Sequence, residues 1–150
     1  MRCRGLNDKG EMVYGLPAYG FGMDQIAGIE TPDGDFQEIR PETFGEYTEY
    51  PDINGTGIYT GDVTRLPLPG DGARLYEVAR MVIDREMKPQ KGFTSAGKSM
   101  VRLNTYVFIR IETGTVLLPG VDATGRCDTE KMEIIGNIHQ NPELLVRGGG

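Results

Sequence analysis

Between residues 100 and 111 the chain alternates. Val101, Leu103, Thr105, Val107, Ile109 and Ile111 fall on one face of an extended backbone. Arg102, Asn104, Tyr106, Phe108 and Arg110 fall on the other. Twelve residues at period two predict a long β-strand. Glu112-Thr113-Gly114 then turns the chain into a second strand at 115–118, completing a hairpin.

This strand decides the reading of the segment before it. Residues 91–100, KGFTSAGKSM, spell G-x-x-x-x-G-K-S through Gly92, Gly97, Lys98 and Ser99, the pattern of a phosphate-binding P-loop. Such a loop needs a buried strand before it and a helix after it, whose N-terminal N–H groups hold the phosphates. Here a strand follows Ser99, and the polar run Met87-Lys88-Pro89-Gln90-Lys91 precedes it. The expectation is a basic loop between two strands, and a protein that is not an enzyme.

Punctuation elsewhere is dense, with 22 glycines and 9 prolines in 150 residues. Turns are expected at 7–10, 31–35 and 51–55, and single helical turns at 41–45 and 141–145. Strands are expected at 11–16, 36–40, 58–60, 63–66 and 132–138. Residues 75–84, LYEVARMVID, fit either a helical stripe or an extended segment, with a strand over 80–84 fitting the surroundings better. The sum is a mainly β chain, a small antiparallel barrel or roll with short helical turns. It reads as one domain over 1–147, or as two small β subdomains at about 1–50 and 51–147, with 148–150 a flexible glycine tail.

Charge is uneven. Arg85, Lys88, Lys91, Lys98 and Arg102 stand against the single acid Glu86, leaving that stretch at +4 and the rest of a −6 chain at −10. A basic, glycine-bearing loop can wrap an anion, so Arg85, Lys88, Lys91, Lys98, Ser99 and Arg102 are the candidate ligand-binding residues. The acidic remainder argues against nucleic acid as a partner.

Other chemistry is sparse. His139 is the sole histidine, and Cys3 and Cys127 lie far apart, so neither a zinc site nor a disulfide framework is expected. No metal, cofactor or catalytic residue is assigned. The thiols fit a reduced, cytoplasmic protein, and no apolar run reaches the ~20 residues of a membrane span. Paired carboxylates such as Glu42 and Glu46, or Asp122 and Asp128, read as solvated surface. His139 reads as a surface residue before the last turn. The seven tyrosines suit subunit interfaces, and secondarily stacking on bases.

Three stretches together resemble the YopX protein family of bacteriophages and prophages. Arg4-Gly5 with Glu11-Met12-Val13-Tyr14-Gly15 is similar to the family's arginine-glycine pair and its following strand, with Met12 in place of the usual tryptophan. IRPETFGEYTEYPDINGTGIYTGDV (39–63) and IIGNIHQNPELL (134–145) resemble two further family motifs. Residues 85–100 look like an insertion. The resemblance implies an SH3-like, barrel-type fold, self-assembly and host-cytoplasmic location, without a settled activity. The expected function is a homo-oligomeric phage accessory protein that sequesters a charged, nucleotide-like small molecule in counter-defence. The alternatives are an acidic inhibitor that binds a host protein complex, and a nucleic-acid-binding accessory of phage replication.

Overall fold

The computed structural model describes residues 2–20, 25–70, 72–87 and 99–146. Local turn chemistry sets the first hairpins. Strand β1 (Cys3–Leu6) reverses into β2 (Met12–Tyr19) through a turn in which Asn7 Oδ1 accepts from Lys9 N and Glu11 N, and Gly10 takes φ 78°. β2 pairs with β1 as far as Gly15 and with β3 (Ile26–Glu30) from Leu16 onward. Pro17 therefore sits where β2 has a partner on one side only, and its missing N–H is tolerated. β3 reverses into β4 (Phe36–Glu38), and a 3-10 turn over Pro41–Thr43 leads to β5 (Gly45–Pro51).

β5 folds back as β6 (Gly57–Tyr59). Asp52 ties this turn, its Oδ1 accepting from Asn54 N and Thr56 N at 2.8 and 2.9 Å. These strands form one antiparallel sheet in the order β4-β3-β2-β1-β5-β6. The chain crosses at Gly61 into a second sheet, β10-β9-β8-β7-β11, made of β7 (Asp62–Pro67), β8 (Ala73–Met87), β9 (Ser99–Arg110), β10 (Val116–Leu117) and β11 (Glu133–Asn137). Helical structure among the described residues is limited to 3-10 turns at Pro41–Thr43, Asp128–Lys131 and Pro142–Leu145.

The mainly antiparallel β architecture is as expected, but the barrel is not closed. Each sheet keeps two free edges, and each has its own apolar cluster. Cys3, Val13, Ile29 and Ile39 fill the first; Ile58, Tyr76, Val78, Phe108 and Met132 fill the second. The physical reason is the early crossing. β6 has three residues, and its Ile58 already belongs to the second cluster. Backbone bonds from Gly61 N to Val78 O and from Ile138 N to Gly61 O, both 2.8 Å, then splice the sheets. Ile53 N adds a bond to Met132 O at 2.7 Å.

Residues 75–84 are extended throughout, within β8. β9 starts at Ser99, where a P-loop would start its helix. β7 covers β8 only over Ala73–Glu77, and β10 covers β9 only at Phe108 and Ile109. Beyond these, β8 and β9 continue as a two-stranded ribbon in unbroken register to Met87 and Ser99.

Candidate functional site

The ribbon separates two of the residues chosen from the sequence. Asp84 lies opposite Arg102, and Arg85 lies opposite Val101. Cross-strand partners share a face and neighbours in sequence do not. Arg102 is thus on the Asp84 face, where its Nε meets Asp84 Oδ1 at 2.9 Å, and Arg85 is on the other face. Lys88, Lys91 and Lys98 lie outside the described residues. Ser99 is placed only as the first residue of β9.

A different set of residues converges where the two sheets meet. β1 runs between β2 and β5, and its Arg4 is opposite Tyr14 on one side and Gly45 on the other. A Cβ at Gly45 would stand 2.6 Å from Thr60 O and 3.5 Å from Arg4 Nε, so glycine is what lets the Arg4 side chain lie across β5. Arg4 then reaches Asp62 at the start of β7, Nη2 to Oδ1, 2.7 Å, with side chains 5% and 3% exposed. Asp62 Oδ2 accepts from Tyr59 N at 2.8 Å, the turn-capping bond expected of an aspartate after Gly61.

Arg4 also stacks. Its guanidinium carbon is 5.0 Å from the centre of the Tyr59 ring. Tyr59 in turn meets Tyr14 edge-on at 5.4 Å and Tyr47 at 5.3 Å. Gly57 makes room here too, since a Cβ there would be 2.6 Å from Tyr47 Cε1. Gly55 and Gly61 take positive φ in this region, at 79° and 92°, whereas Gly57 does not and is needed to make room for Tyr47.

These groups wall a cleft of about 400 Å³ lined by Arg2, Arg4, Tyr14, Tyr47, Tyr59 and Asp62, with Gly55, Thr56, Gly57 and Ile134 completing it. Arg4 Nε, like Arg110 Nε, is buried without a hydrogen-bond partner among the described residues, and it is closed off from the cleft. Arg2 is exposed and makes no hydrogen bond or ion pair through its side chain among the described residues. Burial, and next the neighbouring Tyr14 phenol, push the Tyr59 hydroxyl above its ordinary range, so it stays a neutral donor at physiological pH. Burial also raises the Asp62 carboxyl, against the opposing pull of Arg4 and the Tyr59 N–H. His139 is not at the surface as expected but half-buried, its Nε2 3.5 Å from the point a Gly61 Cβ would occupy.

Next to this cleft is a second hollow of about 540 Å³, lined by Arg2, Tyr47, Thr48, Glu49 and Tyr106. Tyr106 is held by the other strands. Its hydroxyl donates to Glu46 Oε2 and accepts from Arg80 Nη2, each at 2.9 Å, and the Arg80 guanidinium lies 5.0 Å from its ring centre. Glu46 is therefore paired rather than a free surface acid.

Sequence reasoning did not assign Arg2, Arg4 or Asp62 to a site. Arg4 carried a signal, a cation between Cys3 and Leu6 in a strand whose four residues are all buried. Its partner, 58 residues away, carried none.

The fold and cleft define a class: a small two-sheet antiparallel β protein with an arginine–tyrosine cleft at the sheet junction. A family model described as "YopX protein" matches residues 23–146, and the chain belongs to the YopX family. Tyr47, Tyr59 and Asp62 lie within the matched span, and Arg2, Arg4 and Tyr14 precede it. The crystal structure of protein EF1440 from Enterococcus faecalis is similar over 97% of this chain and 99% of that one, with a TM-score of 0.56 and 19% identity. That likeness shows a shared fold. No curated protein matches the chain.

Proposed function

We propose that this protein is a non-enzymatic, self-assembling accessory protein that binds and holds a small anionic molecule bearing a planar ring, of the nucleotide type. The arginine–tyrosine cleft is its recognition site. The supporting observation is the exposed Arg2 beside a wall of three tyrosines, one of which, Tyr59, carries the buried Arg4 guanidinium stacked on its ring. Arg2 is the cation available to an anionic group, because Asp62 cancels the Arg4 charge. Tyr14, Tyr47 and Tyr59 offer aromatic faces and edges to a ring at little entropic cost. Holding rather than turnover is the role proposed for such a cleft. Arg85 and Arg102, on opposite faces of the β8–β9 ribbon, do not line this cleft. With the phage resemblance, sequestration of a nucleotide-like signal of host defence is the biological reading.

Calorimetric titration with adenosine and guanosine mono-, di- and cyclic phosphates tests the proposal. Saturable heat that Arg2→Ala weakens roughly tenfold is expected, a loss of about 1.4 kcal/mol. Absence of heat from every compound at high protein concentration overturns it.

A further inference from the structure

The cleft and the hollow beside it share two walls, Arg2 and Tyr47. Tyr47 belongs to β5, whose N-terminal half pairs with β1 and whose ladder with β6 shifts register between Tyr47 and Pro51. Inside that shift Glu49 takes φ 69°, the left-handed region that a glutamate enters only under constraint. The irregular β5 thus ends the first lobe at Tyr47 and sets Glu49 in the second. The second lobe is also lined by Tyr106, fixed by Glu46 and Arg80.

We infer that the two lobes form one groove for a ligand with two planar rings joined by an anionic linker, the chemistry of a dinucleotide. The inference rests on the proposed reading of the arginine–tyrosine cleft and names the ligand class. One ring sits against Tyr59 in the first lobe. The linker crosses at Arg2, the exposed cation that borders both lobes. The second ring meets Tyr106. Glu49 repels phosphate from the second lobe, and its carboxylate accepts from an exocyclic amino group on that ring. Two lobes of about 400 and 540 Å³ each lie within the roughly 300–1,000 Å³ range of small-ligand sites, so each has room for one ring. A third hollow also borders Arg2, between Gly15, Leu16, Glu30 and the 31–34 turn, but it offers no aromatic ring.

The test compares adenosine monophosphate with the dinucleotide of two adenosines joined by one phosphodiester, by calorimetry on the full chain. The dinucleotide is expected to bind at least tenfold more tightly. Tyr106→Ala and Glu49→Ala are each expected to erase much of that gain while leaving monophosphate affinity within twofold. Glu49 is exposed, so Glu49→Ala reads the second lobe even if Tyr106→Ala disturbs folding. Equal affinity for the two compounds, or variants that weaken both alike, overturns the two-lobe inference and leaves the single-lobe reading standing. Binding of neither compound overturns both.

Discussion

Arg4 of β1 and Asp62 of β7 meet at 2.7 Å, and almost no part of either side chain reaches water. The pair joins the first strand of one sheet to the first strand of the other. Removing one member of such a pair leaves a buried, uncompensated charge, a loss of about 3–5 kcal/mol, whereas replacing both by apolar groups is often nearly neutral. Asp62→Ala is expected to lower the urea midpoint sharply, and Arg4→Met with Asp62→Ala is expected to recover most of the loss. A double variant no more stable than Asp62→Ala contradicts the pairing.

Gly57 allows Tyr47 to close against Tyr59. A Cβ at Gly57 meets the Tyr47 ring edge at 2.6 Å, and the backbone there does not need glycine. Gly57→Ala is therefore expected to displace the ring, a loss of about 1–3 kcal/mol. It should also weaken nucleotide binding several-fold. Gly10→Ala is the comparison. Its added methyl meets nothing within 4 Å, although φ is 78°, so it should reduce stability alone. Equal effects of the two on binding contradict the assigned role of Tyr47.

The His139 imidazole is held below its ordinary range, first by burial and then by the Arg4 charge, with Glu42 pulling weakly the other way. A base with a depressed native pKa favours folding fully above its unfolded value, about 6.5, and loses that contribution as pH falls below it. The wild type should lose melting temperature between pH 7.5 and 5.5. His139→Gln should lose less over the same interval. Asp62, whose raised native pKa acts in the opposite sense at lower pH, is unchanged between the two proteins and drops out of the difference. Parallel pH curves for both proteins contradict the assignment.

Cys3 is fully buried, donates to Gly15 O at 3.4 Å, and has its thiol pushed up to about 11 by burial. Cys127 is half-exposed. At pH 8 the native protein is expected to react quickly with a thiol reagent at Cys127 alone, and at both residues after unfolding. Two fast thiols in the native state contradict the burial of β1.

The long strand β9 was legible because Val101, Leu103, Val107 and Ile109 share one face, while the face of the core residue Phe108 is polar at Arg102 and Asn104 and carries the Tyr106 hydroxyl, so period two survives. β8 was ambiguous because both of its faces carry apolar residues. Tyr76 and Val78 enter the core, while Leu75, Ala79, Met81 and Ile83 sit half-buried on the reverse. Turns at Asn7 and Asp52 were readable because each is settled by side chains a few residues apart. The open sheets were not, since closure depends on which edges meet, and β4 and β6 do not. The cleft was hidden for a related reason. Its walls come from β1, β2, β5 and β6 with the start of β7, and only folding brings Arg4 to Asp62 or Tyr14 to Tyr59. A basic run contiguous in sequence, such as 85–102, is easier to notice than a buried pair of opposite charges.

The arginine–tyrosine cleft is proposed to hold a small anion that bears a planar ring. Calorimetric titration of the wild type and Arg2→Ala with nucleotides tests it most directly, because the Arg2 side chain is exposed, makes no hydrogen bond or ion pair among the described residues, and can be removed without disturbing packing. Saturable binding to the wild type is expected, with roughly tenfold weaker binding to the variant at unchanged melting temperature. Identical isotherms for the two proteins, or no heat from either, would contradict it.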